Sequence, residues 1–215
     1  MRPKGCLGWL VGAACLGVLA LVILPATARP LLRAAGRMLV AEDPLERADV
    51  IVVAVDADGA GVLEASDLVR RGFAARVAVF SDPPGAVDRE FLRRGIPYYD
   101  AAARAIRQLH ALGIVSAGEI ERPVSGTTAE GALLPGWCSS HGYRTVIFVS
   151  LSDHSRRTRR VLRRDLQGSG VTVLVHYSRY SEFDPDGWWL SRQGARSGIV
   201  ELEKLLADVL RHPFS

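Results

Sequence analysis

The residues best suited to chemistry are polar side chains that follow predicted buried strands. Ser152 and His154 come directly after the apolar run at 145–149, and Arg157 follows within the next helical turn. Glu130 opens another predicted helix, after a turn of small residues. A carboxylate, an imidazole and a guanidinium at one edge of a sheet could carry out general acid–base chemistry on an anionic substrate. We therefore predict Glu130 and His154 as catalytic residues, with Ser152 and Arg157 binding the ligand.

Three more ligand-binding positions are predicted at the same rim. Asp56 and Asp58 lie in a flexible acidic loop after the apolar run at 49–55, and Thr128 adds a hydroxyl group beside Glu130. Because ligands of open α/β sheets sit beyond the carboxyl ends of the strands, these loops are expected to converge.

Helix capping is the alternative explanation for several of these residues. Thr127 as N-cap and Glu130 three residues later would form a capping box, and this accounts for Glu130 without any ligand. Ser152 or Asp153 could likewise cap the helix that contains Arg157. The sequence alone leaves both explanations open.

Two other kinds of site are not indicated. The five histidines are scattered and no CxxC pair is present, so we assign no metal-binding residue. The helix after His154 carries six arginines but no interleaved aromatic residues, so no nucleic-acid partner is expected. Most of these arginines are predicted to form a solvated helix face. They are Arg156, Arg157, Arg159, Arg160, Arg163 and Arg164.

An aspartyl-phosphate phosphatase is a rival interpretation of the first loop. The sequence VVAVDADGA resembles the strand and Asp-x-Asp with which such enzymes bind Mg²⁺ and phosphate, and Phe80-Ser81 resembles their second motif. The mechanism also needs a lysine and a later acidic pair. Lys204, in the last helix, is the one lysine after residue 4, and no acidic pair follows the later strands, so we disfavour this activity.

Alternation of strands and helices predicts an α/β fold. A mostly parallel sheet with helices on both faces is expected from this order. Pro135 should kink or restart the helix predicted at 128–138. The predicted strands are at 49–55, 76–80, 120–124, 145–149 and 171–177, and the last helix is at 197–210.

The amino-terminal stretch predicts a membrane attachment. Residues 5–25 carry no charge and are long enough to cross a bilayer, so we predict one transmembrane helix that acts as an uncleaved signal anchor. A cleaved signal peptide is the alternative. The arginines on both flanks give no orientation. We expect a single-pass protein of the inner or plasma membrane, with a connector at 26–48 and a folded domain at 49–213.

Charge and cysteine content add two limits. The net charge of +4 suits anionic lipid surfaces or phosphates as partners. Cys138 is the one cysteine outside the predicted membrane segment, so no disulfide within the domain is possible.

The order of several short motifs resembles the YdcF-like family, which includes the SanA and ElyC envelope proteins. The similar features are an apolar strand with a glycine-bearing loop, a helix ending in Leu-x-x-x-Gly, a Gly-Ile-Pro segment, a Thr-x-Glu turn, and Ser-x-His with a following arginine. They span nearly the whole domain. In this sequence they are residues 49–61, 68–72, 95–97, 128–130, 152–154 with Arg157, and a tail from Phe183 through Glu201 and Lys204.

The sequence departs from that family pattern at three positions. Gly131 stands where the family has asparagine, Asp153 replaces a tyrosine, and Gly61 replaces an arginine. Glu130, His154 and Arg157 stay in register with the family motifs.

The resemblance implies a Rossmann-like sheet, a domain on the extracytoplasmic side, and a role in cell-wall or peptidoglycan biogenesis. S-adenosylmethionine is a possible cofactor by the same analogy. We expect a membrane-anchored protein that binds an anionic, phosphate-bearing small molecule or lipid-linked precursor. The alternative is a non-catalytic envelope scaffold or regulator.

Overall fold

Five short strands form one sheet in the computed structural model, which describes residues 28–213. All neighbouring strands are parallel, in the order β3-β2-β1-β4-β5. The interior strands β1, β2 and β4 are apolar and almost fully buried because helices cover both of their faces. The strands are β1 (Val50–Val53), β2 (Val77–Phe80), β3 (Ala117–Ile120), β4 (Thr145–Ser150) and β5 (Thr172–Tyr177).

Helices connect every pair of successive strands, as the α/β prediction requires. Helix α2 packs against α4, and α5 packs against α6. Right-handed crossovers place these two pairs on opposite faces of the sheet. The fold is therefore Rossmann-like. The helices are α1 (residues 28–39), α2 (Asp58–Arg70), α3 (Ala86–Arg93), α4 (Ala101–Ala111), α5 (Thr127–His141), α6 (Ser155–Asp165) and α7 (Arg192–Arg211), with a 3-10 turn at Trp188–Leu190.

Strand β3 and helices α5 and α7 differ from their predictions, and α7 begins at Arg192, ahead of the predicted 197. Strand β3 lies at Ala117–Ile120, ahead of the predicted 120–124, because its position is set by pairing with β2 and its Gly-Glu sequence has no strand pattern. Helix α5 runs unbroken through Pro135. Buried neighbours in the same helix, Leu134 and Cys138, hold it against the core despite the missing backbone donor.

The chain reverses its direction across the sheet between β1 and β4. The connection through α2 leads from β1 to β2 on one side, whereas α5 returns the chain to β4 on the other. The loops after β1 and β4 therefore separate and leave a crevice, which is the usual ligand position in such sheets. Gly61 lets α2 begin close to β1, because a Cβ there would lie 2.6 Å from atoms of Val53 and Ala57.

The described part of the predicted connector, residues 28–48, packs against the domain. Leu39 is 1% exposed and joins a small core with Phe183, Trp188 and Leu205. Gly36 allows this contact, since a Cβ there would clash with the backbone oxygen of Pro185 in the 183–189 loop. The apolar residues of α1 are spaced so that they face this small core. The arginines between them hid this pattern in the sequence.

The predicted transmembrane helix at 5–25 lies outside the described residues. Among residues 28–213, no helix combines the length and the apolar character needed to cross a bilayer.

The arginines of α6 are not the solvated face that we predicted. Each of the six contacts a carboxylate or a carbonyl group of the segment before β1 or of α7. The prediction was wrong because two flanking segments, distant in sequence, supply buried acids to this helix. Arg156 donates to the carbonyl of Val40, Arg157 binds Glu201, Arg159 and Arg163 bind Asp43, and Arg160 and Arg164 bind Asp208.

Candidate functional site

A hydrogen bond between His154 and Asp56 spans the crevice between β1 and β4. Nδ1 of His154 lies 2.6 Å from Oδ2 of Asp56. The buried strand β1 delivers Asp56 to the edge of the sheet, and the short turn after β4 places His154 at the start of α6. The Asp56 side chain is 33% exposed and that of His154 is 16% exposed, so Asp56 is the more accessible member of the pair.

The pair is electrostatically coupled. Burial alone would lower the pKa of His154, but the hydrogen bond and the charge of Asp56 outweigh burial and raise that pKa. Burial would likewise raise the pKa of Asp56, yet the contact with His154 and the charge of Arg157 lower it. The ionised pair is therefore the favoured form over a wide pH range.

Two further acids flank the other ring nitrogen. Nε2 of His154 lies 3.5 Å from Oδ2 of Asp153 and 3.6 Å from Oε1 of Glu201. Glu201 also binds Arg157 at 2.9 Å and Lys204 at 2.7 Å. Burial would raise the pKa of Glu201, but these partners lower it. Glu201 is thus an ionised carboxylate at the centre of a buried charge network.

Asp153 and Glu201 were not among the predicted site residues. The signal for Glu201 is its position on the buried side of α7, where Gly198 and Leu205 also lie. An acid on the apolar side of an amphipathic helix is unusual unless it is paired. Asp153 carried no comparable signal, because it also suited a helix cap.

Glu130 lies at the end of β1 and not in a capping box. Its Oε1 accepts a hydrogen bond of 2.7 Å from the backbone N–H of Val55. Gly126 occupies the N-cap position and makes no side-chain cap, so the predicted Thr127 cap is wrong. Thr127 is instead buried inside the first turn.

The Glu130 carboxyl group is kept protonated at neutral pH. Burial raises its pKa, and the negative charge of Asp56 raises it further, to about 8. The side chain is 0% exposed, and Oε2 has no hydrogen-bond partner within the described chain. Glu130 and Asp56 are therefore neighbouring carboxyl groups with opposite protonation preferences, which is a common arrangement in acid–base sites.

The predicted caps of α6 are also wrong. Ser152 is buried, and its Oγ lies 2.8 Å from the Oγ of Ser181 and 3.3 Å from the carbonyl oxygen of Phe183. Asp153 accepts a hydrogen bond from Ser197. These side chains bind the chain that follows β5, so neither remains to cap α6.

Three predicted ligand-binding residues have other surroundings than expected. Arg157 is 13% exposed and its guanidinium is engaged by Glu201, which leaves little of it for an anion. Asp58 is 64% exposed and pairs with Arg104 at 2.9 Å. Thr128 is exposed at the start of α5, and its hydroxyl makes no hydrogen bond within residues 28–213. The structure thus gathers Asp56, Glu130, His154 and Arg157 and leaves Thr128 apart.

A cleft of about 570 Å³ opens beside Asp56. Its walls are the loop after β1, the loop after β5 and the start of α7. Its described lining contains no lysine or arginine. Four carboxylates and several hydroxyl groups face it instead. They are Asp56, Asp58, Asp153 and Glu182, with Tyr180, Ser181, Ser191 and Ser197.

Metal-ligating groups do not converge in this region. Across residues 28–213, no three His, Cys, Asp or Glu side chains are arranged to hold a metal ion. Comparison with known proteins gives no family assignment: no protein-family model matches this sequence, and no curated protein matches it significantly.

Proposed function

We propose that this chain is a membrane-anchored protein of the cell envelope that binds a small ligand of cell-wall biogenesis in the cleft beside Asp56 and transfers a proton to or from it. The observation that carries the proposal is the Asp56–His154 pair, which lies where the chain reverses across the sheet. Sites at this position bind ligands in many open α/β sheets. The envelope assignment comes from the motif resemblance.

Each residue of the pair has a distinct role in the proposal. Asp56 lines the cleft and is ionised before the ligand binds, so it accepts a hydrogen bond, and then the proton, from a ligand hydroxyl or ammonium group. His154 holds the Asp56 carboxylate in place and keeps it charged. Glu130 holds a proton that a charge change at Asp56 would release, since the charge of Asp56 is one reason for the high pKa of Glu130.

The charges around the cleft define which part of a ligand binds where. Carboxylates favour the hydroxyl-rich or cationic part of a phosphate-bearing precursor. The phosphate group would bind the backbone amides of Gly59 and Ala60, in the first turn of α2, which also line the cleft. Arg157, the anion ligand expected from the sequence, has only an indirect role, because it balances Glu201.

A non-catalytic scaffold is the second candidate. His154, Arg157 and Glu201 already bind one another or Asp56, so the network could exist for stability alone. If the chain is a scaffold, substitutions at Asp56 and His154 should lower its thermal stability but should not abolish the binding of any ligand.

A ligand screen on the full chain in neutral detergent tests the proposal. Cell-wall precursors, sugar nucleotides and S-adenosylmethionine would be tested for a shift in unfolding temperature. We expect a precursor to stabilise the wild type and this shift to be lost in Asp56→Asn and His154→Gln. His110→Gln is the matched control, because His110 is exposed on α4. A shift that survives both site substitutions would contradict the site.

A further inference from the structure

A second concave surface lies between α1, α6 and α7. It encloses about 540 Å³ and has an apolar floor. No Asp or Glu side chain belongs to its described lining, and arginines of α6 form one wall. The apolar residues are Met38, Leu202, Leu205, Leu206 and Val209, and the arginines are Arg156, Arg159, Arg160 and Arg163. We refer to these nine residues as the α1–α7 groove.

Several apolar side chains of the groove are open to solvent. Met38 is 57% exposed and Leu206 is 60% exposed, and Leu210, one turn further along α7, is 73% exposed. An apolar helix surface bordered by basic side chains is typical of helices that lie at a lipid interface.

Arg156 supplies an independent sign of an anionic partner. It is half-buried, and its terminal nitrogen donates to the carbonyl oxygen of Val40 at 2.8 Å. Its Nε is buried without a hydrogen-bond partner, and it pairs with no carboxylate in the described part of the chain. Because a half-buried cation without an acid is costly, the position favours an anion from outside the chain. The buried Nε of Arg159 also lacks a partner.

We propose that the α1–α7 groove binds an anionic phospholipid, with the lipid phosphate at Arg156 and an acyl chain along Leu206 and Val209. Charge complementarity supports this occupant. The groove also lies on α1, whose described part starts at residue 28, next to the uncharged stretch that the sequence predicts as a membrane segment. Met38 is within about 15 Å of that junction at 1.5 Å per helical residue. The proposal rests on the membrane attachment of the proposed function, but not on its ligand cleft.

A second copy of the chain fits the groove less well than a lipid does. Two copies meeting through this surface would bring two sets of four arginines together. The two carboxylates that bind these arginines, Asp43 and Asp208, do not balance such a set. Anionic headgroups would balance it, since each basic residue near an anionic surface contributes favourably.

Native mass spectrometry of the full chain in neutral detergent tests this proposal. We expect phosphatidylglycerol to stay bound at concentrations where phosphatidylcholine does not. Arg156→Gln should weaken phosphatidylglycerol binding about fivefold. Arg94→Gln removes the same charge just after α3, where Arg94 is 69% exposed, and should not change lipid binding. Equal retention of the two lipids would overturn the proposal.

Arg156→Gln also removes the hydrogen bond to the carbonyl of Val40. A second pair of variants leaves that bond intact. Leu206→Glu places an acid in the groove at a 60% exposed position, so the fold should persist, and we expect phosphatidylglycerol binding to be lost. Val115→Glu, at an 82% exposed position outside the groove, is the control. If both variants bound the lipid equally, the α1–α7 groove would be excluded as the lipid-binding site.

Three further outcomes separate the sources of binding. Displacement of the lipid by inorganic phosphate alone would indicate a free-anion site and overturn the proposal. A change of oligomeric mass in Leu206→Glu, with lipid binding unchanged, would indicate a second copy and overturn it as well. A chain that is not membrane-bound in cells but still selects phosphatidylglycerol would contradict the anchor and support the groove.

Discussion

Nδ1 of His154 lies 2.6 Å from Oδ2 of Asp56, and this contact joins the two loops that leave the central strands in opposite directions. The residues are far apart in sequence, and each follows a buried strand. The contact connects the cleft, which Asp56 lines, to the buried network of Glu201 and Arg157. A change in charge at the cleft therefore alters the electrostatic environment of side chains that are largely buried.

Removing the charge of Asp56 should lower the pKa of His154. Asp56→Asn eliminates both the charge and the ionic hydrogen bond that offset burial, so we expect the pKa of His154 to fall. Titration of the histidine ring signals by NMR would measure it. Asp58→Asn is the control, because Asp58 pairs with Arg104. An unchanged His154 titration in Asp56→Asn would contradict the pairing.

The same pair should contribute to stability in a defined pH range. The folded-state pKa of His154 is raised, so its contribution is fully present below the unfolded value near 6.5 and is lost as pH rises through the folded value. Urea unfolding of wild type and His154→Gln should therefore differ most at low pH. The difference should narrow above neutrality, and a gap that widens with pH would contradict this sign.

Glu130→Gln should stabilise the protein at alkaline pH relative to wild type. The folded pKa of Glu130 is raised to about 8, so wild type loses stability between the unfolded value near 4.5 and that pH. Glutamine keeps the acceptor for Val55 and has no charge to desolvate. We expect a relative gain on the order of 3 kcal/mol between pH 5 and pH 8, measured by denaturant unfolding. If the free energies of unfolding of the two proteins changed in parallel with pH, Glu130 would not be a buried neutral acid.

Gly36→Ala should destabilise the domain, because a Cβ at Gly36 would meet the backbone oxygen of Pro185 and the ring of Trp188. The expected loss is about 1 to 3 kcal/mol in the free energy of unfolding. Gly136→Ala is the matched control, since a Cβ at that helical glycine has nothing within 4 Å. It should be neutral or stabilising by up to about 1 kcal/mol. Equal effects would mean that α1 is not docked.

Asp43→Ala should be more damaging than the loss of an exposed ion pair. Asp43 is 4% exposed, binds Arg159 and Arg163, and accepts from the backbone N–H of Val175. Breaking a buried pair costs about 3 to 5 kcal/mol. Asp186→Ala, which removes an exposed pair with Arg37, should have a much smaller effect, because solvent screens that pair. Thermal unfolding would compare the two.

Mg²⁺-dependent release of phosphate from a generic substrate is expected to be absent. Asp58 binds Arg104 and Asp56 binds His154, so the Asp-x-Asp motif does not present two free carboxylates. Release that requires Mg²⁺ and is abolished by Asp56→Asn would restore the phosphatase interpretation.

The fold was more predictable than the site, for a physical reason. Buried parallel strands are continuous apolar runs, so β1, β2, β4 and β5 could be located from sequence and their order of alternation implied the fold class. Strand β3 pairs on one side only, and its Gly-Glu sequence shows no such run. Its position depends on pairing with β2.

The contacts of the site residues were not predictable from local patterns. Glu130, Ser152 and Asp153 all suited helix caps, because a cap and a tertiary contact require the same polar side chains. Only the sheet order shows that Glu130 reaches β1. Glu201 was missed because Arg157, its partner on α6, lies more than forty positions away in the chain.

Helix α6 binds acids from both ends of the described chain, Asp43 before β1 and Asp208 in α7. Tension applied at the amino-terminal end would therefore first load the α1 contacts and then the Asp43 contacts to α6 and β5. These contacts act in series ahead of β1 and would have to break before the load reached Asp56. The segment predicted as a connector is in mechanical terms a strain relief, which shields the central strands from forces applied at the amino-terminal end.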